Sequence, residues 1–101
     1  MPKIYEYLGL IFYFYSNEHE PIHVHVSIAE RETIFEIIVN NGLLVEIKKR
    51  TSKNKKPLTA KEEKNALIFI NEFYKKIIDK WINFFVLKKV IKATKITRKL
   101  K

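Results

Sequence analysis

The sequence predicts an α+β fold, in which an antiparallel β-meander of about five strands packs against one long C-terminal helix. Three observations predict it: the first half holds short segments rich in β-branched and aromatic residues, turn-forming residues separate them, and a helical apolar stripe follows. With 101 residues, 47% of them hydrophobic, the chain is long enough for one core. We therefore expect a single domain over residues 1–101.

The first strands are predicted from their aromatic and alternating patterns. Residues 4–8 and 10–15 are rich in tyrosine, phenylalanine and isoleucine and flank Gly9, which favours a hairpin. In the segment 22–28, apolar residues alternate with polar ones in the period of two that is typical of a half-buried strand. This period places His23 and His25 on one face of the strand.

Two further strands are predicted before residue 50, where the sheet should end. The charged triplet 30–32 indicates a turn, and residues 33–39 form the next strand. Asn41-Gly42 is a strong hairpin signal and leads into a fifth strand over residues 43–49.

A basic loop over residues 51–58 is expected to connect the sheet to a helix over residues 59–87. Thr59 and Glu62 have the spacing of a capping box, so the helix should begin at Ala60. Its apolar residues recur at spacings of three and four and form a stripe that can cover a sheet: Ala66, Ile70, Phe73, Ile77, Trp81 and Phe84. For the basic segment 88–101, a short strand and a solvated tail are both open, and we favour a strand near residues 94–98.

Charge is distributed unevenly along the chain. The net charge is +9, but residues 1–45 carry two basic and six acidic side chains, whereas residues 46–101 carry 18 basic and five acidic ones. Such a distribution suits an acidic protein or a nucleic acid, RNA or DNA, as a partner of the basic half, and taken alone it fits a solvated lysine-rich surface slightly better. The candidate binding residues are Lys48, Lys49, Arg50, Lys53, Lys55, Lys56, Lys95, Arg98 and Lys99.

All three histidines of the chain lie between positions 19 and 25, beside two glutamates. Grouped imidazoles suit proton transfer, so His19, His23 and His25 with Glu18 are the candidate catalytic residues of a metal-independent ribonuclease. The alternative is a structural one, in which the rings hydrogen-bond to nearby backbone carbonyls.

The same segment also permits a metal site. Because the chain has no cysteine, any metal must be held by nitrogen and oxygen. His23 and His25 with Glu18 or Glu20 would form a two-histidine, one-carboxylate set suited to zinc, nickel or ferrous iron. We favour no cofactor, and a divalent transition metal is the alternative.

No uncharged run approaches the length of a membrane span, and the N-terminal residues do not resemble a secretion signal. We therefore expect no membrane partner and a cytoplasmic location. Homo-oligomerisation is open.

Three segments together resemble one bacterial family. They are residues 1–5 (MPKIY), residues 14–26 (FYSNEHEPIHVHV) and residues 81–85 (WINFF). The chain is similar to the family catalogued as domain of unknown function 4160, of which many members have a second proline at the position of Ile22 and lack the basic loop and tail. The resemblance implies a small α+β protein, frequently encoded beside a member of domain of unknown function 2442 in an arrangement that resembles toxin–antitoxin pairs.

The leading hypothesis is thus a small bacterial binding protein from a toxin–antitoxin-like pair. It would present a histidine and glutamate surface to its cognate protein partner, and its basic half would contact nucleic acid or an acidic partner. A ribonuclease-type toxin and a metal-binding regulatory module are the alternatives.

Overall fold

The computed structural model describes residues 3–14, 22–88 and 90–100. Its strands, in chain order, are β1 Lys3–Tyr7, β2 Leu10–Tyr13, β3 Ile22–Ile28, β4 Arg31–Asn40, β5 Leu43–Thr51 and β6 Thr94–Ile96. The helix α1 spans Ala60–Trp81 and continues as a π-helical segment over Ile82–Val86. The predicted fold class, a β-meander packed against one long C-terminal helix, is confirmed.

The six strands form one sheet in the order β5-β4-β3-β2-β1-β6. The first five are antiparallel neighbours, as the meander predicts, and β6 pairs in parallel with β1. The favoured final strand is therefore present, although it ends at Ile96 and not at Arg98. It lies at the opposite edge of the sheet from β5.

Two of the three hairpin turns in the described part of the chain follow the local sequence signals. Asn41 and Gly42 have φ values of 54° and 79°, and Leu8 and Gly9 have φ values of 51° and 82°. Positive φ at both central residues gives a type I′ turn, whose twist matches that of the strands it joins. Gly9, Asn41 and Gly42 adopt this conformation at low cost, which explains why both hairpins were predicted from the sequence, whereas Leu8 adopts it without such a preference.

The predicted turn at residues 30–32 is wrong. The turn lies at Ala29–Glu30, and Ile28 pairs directly with Arg31, so that Arg31 and Glu32 belong to β4. Three consecutive charged residues are typical of a turn in solvent. Here the Glu32 side chain is fully buried by residues that are distant in sequence, and these long-range contacts override the local preference.

The core lies between α1 and one face of the sheet. Five residues of the predicted helical stripe are buried, namely Ala66, Ile70, Phe73, Ile77 and Trp81, and Phe84 is half-buried. The stripe also includes Phe69, which was not predicted and whose ring lies 4.6 Å from that of Phe12 and 5.2 Å from that of Tyr7, centroid to centroid. Tyr5, Tyr7 and Phe12 therefore define the sheet face that the helix covers. We call the opposite side the polar face.

Candidate functional site

Strand β3 places both described histidines on the polar face. Its apolar residues Ile22, Val24 and Val26 are in the core, and the alternation of the strand directs His23 and His25 to the other side. The shared face predicted from the sequence is therefore confirmed. Neither ring is open to solvent, because His23 is 8% exposed and His25 is 2% exposed, and their ring centroids lie 5.9 Å apart.

The centre of the polar face is the carboxylate of Glu32, whose side chain is 0% exposed. It accepts hydrogen bonds from the Tyr13 hydroxyl, from Ser52 Oγ at 2.7 Å and from Lys55 Nζ at 3.3 Å. The Nδ1 atom of His25 lies 3.2 Å from Glu32 Oε2. We call these five residues, Tyr13, His25, Glu32, Ser52 and Lys55, the Glu32 cluster.

The Glu32 cluster holds an ionised carboxylate. Burial alone raises the pKa of Glu32, but hydrogen bonds from Tyr13, Ser52, His25 and Lys55 outweigh burial and lower the pKa to about 2. A buried anion needs such partners because an unpaired charge in the interior is very costly. The cluster is therefore arranged to stabilise negative charge at Glu32.

The Glu32 cluster also fixes the loop that follows β5. Ser52 and Lys55 contact the Glu32 carboxylate, and the Glu32 backbone N–H donates to the carbonyl oxygen of Lys56 at 2.8 Å. Two residues later the chain reaches the helix-covered face, where the Leu58 N–H donates to Thr33 Oγ1 at 3.0 Å. Glu32 thus holds the basic loop through its backbone and its side chain together.

A second carboxylate connects the start of the helix to β4. Glu62 Oε1 accepts from the Thr59 N–H at 2.9 Å, and Thr59 Oγ1 accepts from the Glu62 N–H at 3.3 Å, which confirms the predicted capping box. The same carboxylate accepts two hydrogen bonds from the Arg31 guanidinium. These bonds from Arg31 are the main reason that the pKa of Glu62 is lowered to about 2.

The basic candidate residues are exposed, but they do not form one surface. Six come from β5 and the following loop, whereas Lys95, Arg98 and Lys99 come from β6 and the chain after it, at the other edge of the sheet. We call the first group the β5 basic edge and the second the β6 basic edge. The β5 basic edge comprises Lys48, Lys49, Arg50, Lys53, Lys55 and Lys56.

Carboxylates neutralise part of each edge. Nitrogen to oxygen distances are 2.7 Å for Lys49 with Glu63, 3.6 Å for Arg50 with Glu36 and 3.7 Å for Lys95 with Glu6, and Lys55 contacts Glu32. Within the described residues, the other exposed cations of the two edges form no ion pair: Lys48, Lys53, Lys56, Arg98 and Lys99.

A cleft of about 340 Å³ lies beside the β5 basic edge, on its helix-covered side. Lys49 and Glu63 line it together with less polar residues of the loop end, including Pro57 and Leu58. The cleft opens next to the edge strand.

Three members of the Glu32 cluster, Glu32, Tyr13 and Ser52, were not candidates from the sequence. The available signal was the period of two: once β4 is extended back to Arg31, Glu32 falls on the same face as the histidines. Tyr13 is 7% exposed and stacks on His25 at 5.4 Å between ring centroids.

Glu18, His19 and Glu20 lie outside the described residues, so the catalytic set and the metal set stay predictions. Among residues 3–14, 22–88 and 90–100, no three histidine, aspartate or glutamate side chains form a group that could hold a metal ion. None of the helices described is long and apolar enough to cross a membrane.

Comparison with family models matches residues 9–82 to the family described as Domain of unknown function (DUF4160). The chain belongs to this family. The DUF4160 match covers β2 through α1 and thus includes the Glu32 cluster and the β5 basic edge, whereas β6 and the residues after it lie outside. No curated protein and no solved structure is significantly similar to the chain.

Proposed function

We propose that the protein is a nucleic-acid-binding protein and that the β5 basic edge is its binding surface. The observation that carries the proposal is the attachment of the basic loop to Glu32, both to its buried carboxylate and to its backbone N–H. Through Ser52, Lys55 and the carbonyl of Lys56, this attachment holds the loop next to β5 and keeps its lysines on one edge.

A fixed loop favours binding because its backbone is already ordered before the ligand arrives. Ordering a free loop costs about 1 to 2 kcal/mol per residue in backbone entropy, which would be subtracted from the binding free energy. The histidine of the Glu32 cluster, His25, helps to fix the loop indirectly. In this proposal His25 is a positioning residue that stabilises the charge of Glu32 and does not touch the nucleic acid.

The charges available for phosphates are few and can be counted. Lys48, Lys53 and Lys56 form no ion pair within the described residues, whereas Lys49, Arg50 and Lys55 are already close to carboxylates. Three phosphate contacts predict a logarithmic salt dependence of affinity with a slope of about −2 for a single strand and about −3 for duplex DNA.

The proposal includes a bacterial cognate protein partner, as in a toxin–antitoxin-like pair. Its support is the family resemblance described above and the separation of acidic and basic residues along the sequence. The partner would regulate the same molecule that binds nucleic acid.

The test is a titration of labelled single-stranded RNA, single-stranded DNA and duplex DNA with the full-length chain at several salt concentrations, followed by fluorescence anisotropy. We expect saturable binding and the slopes given above, and comparison of the three probes identifies the preferred nucleic acid. A flat salt dependence, or no binding at low salt, would contradict the proposal. Fragmentation of the labelled RNA would support the ribonuclease hypothesis in its place.

A further inference from the structure

Strand β5 is an edge strand with a free hydrogen-bonding side. It pairs with β4 along one side, and no described strand pairs with its other side. At Val45 the register with β4 shifts, and the regular part of the edge runs from Glu46 to Thr51. In such a segment every second residue directs its backbone N–H and C=O outward, where an additional strand can accept and donate hydrogen bonds.

We infer that an extended acidic segment of a partner protein binds this edge by adding a strand beside residues 46–51. The argument is charge complementarity. Lys48 and Arg50 lie on the polar face and Lys49 on the helix-covered face, so the edge presents cations on both sides of the sheet. A strand with glutamate or aspartate at alternate positions would place carboxylates opposite Lys48 and Arg50 on the polar face.

The cleft beside the edge adds a preference for one apolar side chain. It lies on the helix-covered side, next to Lys49 and Thr51, and Pro57 and Leu58 form part of its wall. Its volume of about 340 Å³ is sufficient for a branched aliphatic side chain. Within the added strand, an apolar residue directed to this side would enter the cleft, while its acidic neighbours remain near Lys48 and Arg50.

The opposite edge is a poorer acceptor for a strand. Strand β6 has three residues, Thr94–Ile96, and its one cation, Lys95, lies 3.7 Å from Glu6. A short edge offers few backbone hydrogen bonds, so the inference is specific to β5.

The inferred strand would cover Lys48 and Arg50, two cations of the nucleic-acid surface proposed above. It follows that the acidic segment and the nucleic acid exclude each other, a consequence that rests on the proposed function. Strand addition itself does not depend on nucleic-acid binding and can be measured without it.

The probe is a short synthetic peptide that alternates glutamate and valine, with blocked ends, and its control is the same peptide with every backbone nitrogen methylated. Each is labelled and titrated with the full-length protein. We expect saturable binding of the first peptide, protection of β5 amides from hydrogen exchange, and loss of binding on methylation, because a methylated nitrogen donates no hydrogen bond. Equal binding of both peptides, or no binding of either, would overturn the inference.

Matched variants locate the peptide on the molecule. Lys48→Gln with Arg50→Gln removes one unpaired and one paired cation from the β5 edge, and Lys95→Gln with Lys99→Gln removes the same combination from the β6 edge. The first pair should weaken peptide binding by about tenfold, and the second should change it little. Equal effects of the two double variants would overturn the inference. Protection of β5 amides that rises with protein concentration in the absence of peptide would also overturn it, because it would indicate that a second copy of this chain occupies the edge. A peptide that binds normally to a protein that fails to bind oligonucleotides would contradict only the proposed function.

Discussion

The two edges of the sheet carry similar cations but are held in place by opposite charges, the buried carboxylate of Glu32 and the half-buried ammonium group of Lys80. At the β5 edge, the loop donates side-chain hydrogen bonds from Ser52 and Lys55 to the carboxylate of Glu32. At the β6 edge, Lys80 of the helix donates from Nζ to the carbonyl oxygen of Lys92 at 2.7 Å and to Thr94 Oγ1 at 3.2 Å. The loop at the β5 edge is thus held largely through its side chains, and the segment at the β6 edge largely through its backbone.

This difference indicates how each edge depends on sequence. The loop conformation requires donors at positions 52 and 55, so it is specified by the identity of these residues. The C-terminal segment uses a carbonyl oxygen, which every residue possesses, and it depends on Lys80 together with the buried Leu100, whose N–H donates to Tyr7 Oη at 2.8 Å. The loop is therefore the more specifically encoded of the two, which agrees with its proposed role in binding.

The largest effect is expected for Glu32→Gln, which keeps the shape of the side chain and removes its charge. It leaves the donors of the Glu32 cluster facing a neutral amide and should lower the free energy of unfolding by about 3 kcal/mol, as for breaking a buried ion pair. Urea denaturation measures this change. The control is the exposed Glu30→Gln, and a loss below about 1 kcal/mol would show that the cluster does not support the loop.

The pH dependence of stability also tests whether the ionised carboxylate of Glu32 stabilises the fold. Because the pKa of Glu32 is lowered from 4.5 to about 2 in the folded protein, its ionised form stabilises the fold above pH 4.5. This contribution is lost as the pH falls from about 4.5 through about 2, where the carboxylate becomes protonated in the folded state. Glu62, with a pKa of about 2, contributes in the same direction.

Denaturation of the wild type over this pH range should therefore show a steep decline in stability. In Glu32→Gln the decline should be shallower, with Glu62 supplying the remainder. An identical pH profile for the two proteins would mean that Glu32 is not the ionised centre of the polar face.

A smaller effect is expected for Lys80→Met, which keeps the length of the side chain and removes the ammonium group. Lys80 also donates to the carbonyl oxygen of Ile4 at 3.0 Å and lies 4.2 Å from the centroid of the Tyr5 ring. Removing these contacts should cost about 2 kcal/mol and increase hydrogen exchange in β6 without affecting the basic loop. Lys75→Met on the exposed side of the helix is the control, and unchanged exchange in β6 would contradict this assignment.

The elements that could be predicted from the sequence are those specified by neighbouring residues. Asn41-Gly42 forms its hairpin, the Thr59 capping box begins the helix, and the alternation in β3 places His23 and His25 on one face. In each case the decisive interactions span fewer than about five residues along the chain, so local preference and final structure agree.

The Glu32 cluster could not be predicted because its members are far apart in sequence. Ser52 and Tyr13 are 20 and 19 residues from Glu32, and only the pairing of β2, β3, β4 and β5 in one sheet brings them together. The separation of the basic half into two edges depends in the same way on topology. It follows from the parallel pairing of β6 with β1, for which Thr94–Ile96 has no local signal beyond a short apolar and β-branched pattern.

The most direct test of the central claim, that the β5 basic edge binds nucleic acid, compares two double variants with matched charge. Lys53→Gln with Lys56→Gln neutralises two unpaired cations of the basic loop, and Arg98→Gln with Lys99→Gln neutralises two near the β6 edge. Affinity for a labelled oligonucleotide is measured by anisotropy over a range of salt concentrations. We expect the loop variant to lose affinity and to reduce the salt slope by about 1.5 to 2, while the second variant retains both. Equal losses in the two variants, or a larger loss in the second, would contradict the claim.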